Sequence, residues 1–166
     1  MILFKNKKSA WLSSGFTMME MMIIIVIIGI LAAIAVPSFS SIMPKLEVRA
    51  QARATLNYIR QARSRAISEG TQYGVHVDAA NGQYLLFKDT VNPAQMTYHN
   101  GDSVVVGPEI IDPDVNLVAS TFANNTIIFQ QTGRASQSGS FTYDKSGGGA
   151  QYTISVIGAT GRSKMQ

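Results

Sequence analysis

Hydrophobic positions along this chain change their period twice. Met21 to Val36 is an unbroken apolar run, MMIIIVIIGILAAIAV, and Glu20 is the only charged residue between Ser9 and Pro44. The 21 residues Phe16–Val36 would make a helix about 31 Å long at ~1.5 Å per residue, matching the ~30 Å hydrocarbon core of a bilayer. Lys45–Ser68 follows, rich in helix formers and free of Gly and Pro. At about 100° per residue, Val48, Ala52, Ile59 and Ala66 share one side, with Leu56 and Ile67 at its border. Arg49, Arg53, Arg60 and Arg63 flank that stripe. Pro37 and Pro44 each remove a backbone donor, so local chemistry permits a bend or break there, while Gly29 either allows close packing or lowers helix stability.

After Gly70 the period becomes two. Tyr73, Val75 and Val77 alternate with Gly74, His76 and Asp78, and Asn81-Gly82 turns the chain into Gln83–Lys88, a hairpin pattern. Further strands are predicted at Ser103–Val106, Asn116–Ser120, Thr126–Gln130, Ser140–Asp144 and Gln151–Ile157. Asn92-Pro93, Gly107-Pro108, Asp112-Pro113 and Gly147-Gly148-Gly149 punctuate them. The expected fold class is α+β: a long N-terminal hydrophobic helix whose C-terminal half packs against an antiparallel β-sheet head.

Composition narrows the function classes. The chain has 166 residues, 46% hydrophobic and 14% charged, with no cysteine. Disorder is disfavoured, and disulfide scaffolds, thiol catalysis and thiolate metal sites are excluded. Lys5, Lys7 and Lys8 precede the apolar run without an acid, so that side is expected to stay cytoplasmic. An ordinary secretory signal peptide, cut after Ala33-Ile34-Ala35, is the rival reading of the segment. It would be long for its class and would carry Glu20.

A carboxylate at the edge of a membrane helix needs a partner. Cutting between Gly15 and Phe16 would supply one, the new Phe16 amine, near the depth of Glu20. Gly15-Phe16-Thr17-Met18-Met19-Glu20, after a Lys-rich leader and before the apolar run ending Ala35-Val36-Pro37-Ser38-Phe39, resembles the type IV prepilin family of pilins and type II secretion pseudopilins. That resemblance implies cleavage after Gly15 by a prepilin peptidase and N-methylation of Phe16. It also implies a role for Glu20 in filament assembly, paired with a neighbouring subunit's Phe16 amine. The implied organisation is a leader over residues 1–15, a transmembrane and filament-core helix over 16–44, and a periplasmic head over 45–166. The family pattern is one continuous helix from Phe16 to about Ser68.

A narrower resemblance, to the GspH/FimT branch of minor pseudopilins and pilins, rests on four stretches. They are Gln61-Ala62-Arg63-Ser64-Arg65-Ala66-Ile67, the strand from Tyr73, Ile127-Ile128-Phe129 with Gly133-Arg134 and Gly139-Ser140-Phe141, and Ile154-Ser155-Val156 with Gly161-Arg162. It implies a non-enzymatic subunit held in the bacterial inner membrane, single-pass, with other pilin subunits and an inner-membrane assembly platform as partners and protein secretion as the process served.

No catalytic constellation or cofactor site is legible. His76 and His99 read as solvent-exposed imidazoles, and Asp112-Pro113-Asp114 with Glu109 reads as a turn in preference to a calcium loop. Without the leader lysines, 11 bases face 10 acids, and six of the bases lie in Lys45–Glu69. Gly161-Arg162-Ser163-Lys164 resembles the Gly-Arg-x-Arg tail of DNA-binding minor pilins of natural transformation, with Lys164 in place of an arginine and its bidentate fork. Arg162 and Lys164 are therefore candidate DNA contacts, against the reading of a solvated tail end.

Overall fold

Helical backbone begins at Met18 and continues to Glu69 as α1. The computed structural model describes residues 15–146 and 149–166. Lys5, Lys7 and Lys8 of the expected leader, with Gly147 and Gly148, lie outside them. The helix passes through Pro37 and Pro44 without the interruption that local chemistry permits. The chain divides into two units, one ending at Ser40 and one spanning Ser41–Gln166.

In the first unit, Met18–Val36 is apolar and long enough to cross a membrane, and none of it is buried within the protein. Such a surface is stable only in lipid or against other apolar helices.

In the second unit, α1 lies against eight strands. These are β1 (Tyr73–Asp78), β2 (Gln83–Lys88), β3 (Ser103–Ile110), β4 (Val115–Ser120), β5 (Thr126–Phe129), β6 (Gly139–Lys145), β7 (Gln151–Ile157) and β8 (Arg162–Met165). They form two four-stranded sheets, ordered β3-β2-β1-β5 and β4-β6-β7-β8, where the sequence suggested a single sheet. All pairs are antiparallel. The β1–β2 hairpin closes over Ala79–Gly82 because the Asp78 carboxylate accepts the Ala80 and Asn81 amides, both at 3.1 Å, while Gly82 takes φ +60°.

Gly107-Pro108, expected to end a strand, lies inside β3. The β2–β3 ladder is irregular there and β3 is an edge, so Pro108 withholds no required donor.

The core joins the helix stripe to both sheets. Val48, Ala52, Ile59 and Ala66 are fully buried, as the helical periodicity predicts, and Leu56 nearly so. Ala62 and Thr55 join them, whereas Ile67 is half exposed. They meet Val75, Leu86 and Phe129 from one sheet and Phe141, Tyr143 and Ile154 from the other. Deep in this core the Thr55 and Tyr143 hydroxyls share a hydrogen bond of 3.0 Å. Burial pushes the Tyr143 phenol up to about 12.

A second cluster, Leu85, Phe87 and Ile128, lies on the other face of the first sheet beneath Met96 and Tyr98. The segment between β2 and β3 therefore covers that face. This explains why β2 reads as continuous Tyr-Leu-Leu-Phe instead of alternating: both of its faces are buried.

Candidate functional site

At the N-terminal end, Gly15 and Phe16 stand in non-helical backbone, and Phe16 is 67% exposed. The Thr17 hydroxyl accepts the Glu20 amide at 3.2 Å, and the Thr17 carbonyl accepts the Met21 amide at 3.2 Å. Thr17 is thus the N-cap of α1, and Glu20 stands at the third helical position, where the macrodipole favours a negative charge. Sequence reasoning missed this cap, although Thr-x-x-Glu ahead of an apolar run is its signature. Glu20 is exposed and forms no ion pair among the described residues.

At the other end of the chain the expected solvated tail is a strand. β8 pairs with β7 through Ile157↔Arg162 and Ser155↔Lys164, and Thr153 and Gln166 exchange both backbone hydrogen bonds at 3.0 and 2.8 Å. The physical reason is alternation: Met165 packs against the core while Arg162 and Lys164 stay exposed. The signal was present, because Arg-Ser-Lys-Met has a period of two, but it spans only four residues.

Gly161 makes the β7–β8 turn at φ +63°, and its amide donates to the Ile157 carbonyl at 2.7 Å. A Cβ at Gly161 would come within 2.0 Å of the Gly133 carbonyl oxygen and 2.9 Å of Arg63 Nε. Gly133, at φ +77°, would place its own Cβ 2.7 Å from Ile67 Cδ1. The two Gly-Arg pairs noticed in the sequence are therefore turns pressed against the end of α1.

Between α1 and β8 runs a groove of about 560 Å³ lined by Arg53, Leu56, Asn57, Arg60 and β8 itself. A neighbouring hollow of about 400 Å³ extends it past Arg63 to Ile67. The fold thus brings Arg162 and Lys164 beside helix arginines that the sequence left as a separate flank.

The histidines are not the free imidazoles expected. His76 is half-buried: its ring stacks on Tyr98 at 4.8 Å, and Nδ1 lies 2.8 Å from Thr126 Oγ1. Burial lowers its pKa despite nearby Asp78. His99 Nδ1 is buried, 3.9 Å from Asp102 Oδ2. Both were misjudged because the β2–β3 segment folds back over the sheet.

Asp102 holds that segment, accepting the amides of Thr90, Val91 and His99 at 2.9, 2.8 and 2.8 Å. Nearby Asp89 is buried, and Gln72, with its amide nitrogen turned toward them, donates to Asp89 Oδ2 at 3.2 Å and to the Pro93 carbonyl at 3.1 Å. Desolvation, reinforced by Asp102, pushes the Asp89 carboxyl up to about 6. Asp112 Oδ1 accepts the Asp114 amide at 2.9 Å, the turn expected of Asp-Pro-Asp. Among the described residues no group of three or more His, Asp or Glu is placed to hold a metal ion.

Comparison with known proteins agrees with this architecture. The family model described as Type II transport protein GspH matches residues 51–160. Type IV major fimbrial protein FimA of Dichelobacter nodosus is 32% identical over 118 residues, covering 69% of this chain and 74% of that protein. A fimbrial protein of Pseudomonas aeruginosa is 36% identical over 70 residues, 42% of this chain and 45% of that one. The solved minor pseudopilin EpsH from the Type 2 Secretion System of Vibrio cholerae shares the fold, with a TM-score of 0.57 at 12% identity over 72% of this chain and 96% of that one. By the residues matched and the relatives found, the chain belongs to the GspH family of the type IV pilins and pseudopilins.

Proposed function

We propose that this protein is a minor structural subunit of a type II secretion pseudopilus or a related type IV filament, serving protein secretion without enzymatic activity of its own. One observation carries the reading: an exposed apolar helix with a single carboxylate in its first turn leads into a head that matches GspH. The apolar part of α1 holds the subunit in the inner membrane, N-terminus cytoplasmic and head periplasmic, until a prepilin peptidase cuts after Gly15. Phe16 is then methylated. On extraction by an assembly platform the helix exchanges lipid for neighbouring helices, and Glu20 meets the Phe16 amine of the next subunit. In that apolar setting an unpaired carboxylate is costly, so the pairing guides register as well as recruitment.

Intact mass of the processed protein tests the cut. A mature chain beginning at Phe16 supports the reading, and one beginning after Ala35 supports an ordinary secreted domain. Glu20→Ala should leave membrane insertion unchanged and lower incorporation into filaments, read by immunoblot of sheared filaments. Unchanged incorporation removes the role of Glu20.

A further inference from the structure

The groove beside β8 has three properties that together specify a ligand. It is cationic: Arg53 and Arg60 stand on the helix side and Arg162 and Lys164 on the strand side, and among the described residues no acid lines it. It borders an open sheet edge, since β8 is the last strand of its sheet. Among the described residues no aromatic side chain lines it, its apolar contribution coming from Leu56 and Met165.

The register says which backbone groups are open. Thr153 and Gln166 form a mutually hydrogen-bonded pair, so by antiparallel alternation Lys164 and Arg162 also direct their amides and carbonyls to β7. Ser163 and Met165 then direct theirs outward along the free edge. Such an edge invites an added strand, and nothing in the described residues covers it.

We propose that this groove binds an extended acidic segment of another protein as a fifth strand on the β4-β6-β7-β8 sheet. The segment's backbone pairs with Ser163 and Met165, and its alternate carboxylates meet Arg53 and Arg60. Its remaining side chains point to the opposite face of the sheet, away from α1. Nucleic acid is the less suitable occupant, because a groove that holds single strands ordinarily supplies aromatic faces for the bases, and this one supplies strand edge instead. The site involves neither the apolar Met18–Val36 part of α1 nor Glu20. Arg162, Lys164 and the rest of β8 also lie beyond the stretch matched by the family model.

The test uses the full chain in detergent micelles and a labelled peptide of alternating Glu and Val, about ten residues long, enough to run the edge at ~3.3 Å per residue. Fluorescence anisotropy should report binding that weakens as salt is raised. Replacing each Glu by Gln, or combining Arg53→Ala with Arg60→Ala in the protein, should weaken it about ten-fold or more. Amide exchange should show Ser163 and Met165 gaining protection when the peptide is bound. Exchange is read in the unaltered protein and so stands even if a variant folds poorly. Absence of peptide binding, binding without protection of those amides, or preference for a single-stranded oligonucleotide of similar length would overturn the proposal.

Discussion

Arg63 Nε donates to the Gly133 carbonyl at 3.1 Å, joining the last turns of α1 to the β5–β6 turn across 70 positions of sequence. Gly161 packs close to the same carbonyl from the β7–β8 turn, so three chain segments meet around it. Arg63→Ala should lower stability by about 1–2 kcal/mol, the usual loss for a charged donor to a part-buried carbonyl. Arg63→Lys should recover little of it, because an ammonium does not reproduce the planar Nε geometry. Thermal melts of the two variants make the comparison.

Gly161→Ala should be worse than an ordinary left-handed glycine replacement. Gly82, at φ +60° with open space around it, provides the reference, and alanine there should cost about 1–2 kcal/mol. At Gly161 the added methyl also meets the Gly133 oxygen, so the melting temperature should fall by several degrees more. Equal effects at the two sites would refute the clamp.

The buried Thr55–Tyr143 pair should respond asymmetrically. Thr55→Val preserves shape but strands the Tyr143 hydroxyl, at a cost of about 1–3 kcal/mol. Tyr143→Phe should cost less, because Thr55 keeps a second neighbour in Gln51 Nε2 at 3.5 Å. Denaturant midpoints of the two single variants decide the order.

Asp89 gives stability a pH dependence of unusual sign for a carboxylate. Its pKa is raised from 3.8 to about 6 in the fold, so the native state holds the proton more tightly than the unfolded chain does. Its contribution is present below the unfolded value and is lost as pH rises through about 6. Asp89→Asn should therefore raise the melting temperature at neutral pH and remove that part of the slope. His76 acts in the opposite sense: its pKa is lowered, so its contribution is present above the unfolded value and lost as pH falls through the folded one. A melting profile for Asp89→Asn that parallels the unaltered protein between pH 4 and about 6 would contradict the assignment.

How much was legible depended on whether a residue's surroundings are local. The helix stripe Val48, Ala52, Ile59 and Ala66 follows from helical geometry alone, as does the hairpin from Asn81-Gly82. The errors lie where distant segments meet. His76 looks exposed on its strand because nothing local announces that Tyr98 will cover it. Arg63 looks like one of several surface arginines until two glycine turns arrive beside it. β8 was too short for its alternation to register, so the basic tip looked free when it closes a sheet. The division of the strands into two sheets is also nonlocal, since each strand's pattern reports its buried face without reporting which neighbour it joins.

The N-cap has a consequence for any processing at the leader. Thr17 lies on the C-terminal side of the Gly15–Phe16 bond, and that bond stands ahead of the first helical turn. A protease that cut there would meet non-helical backbone at Gly15, Phe16 and Thr17. The hydroxyl that caps the helix lies beyond that bond, so such a cut would leave the cap attached to α1.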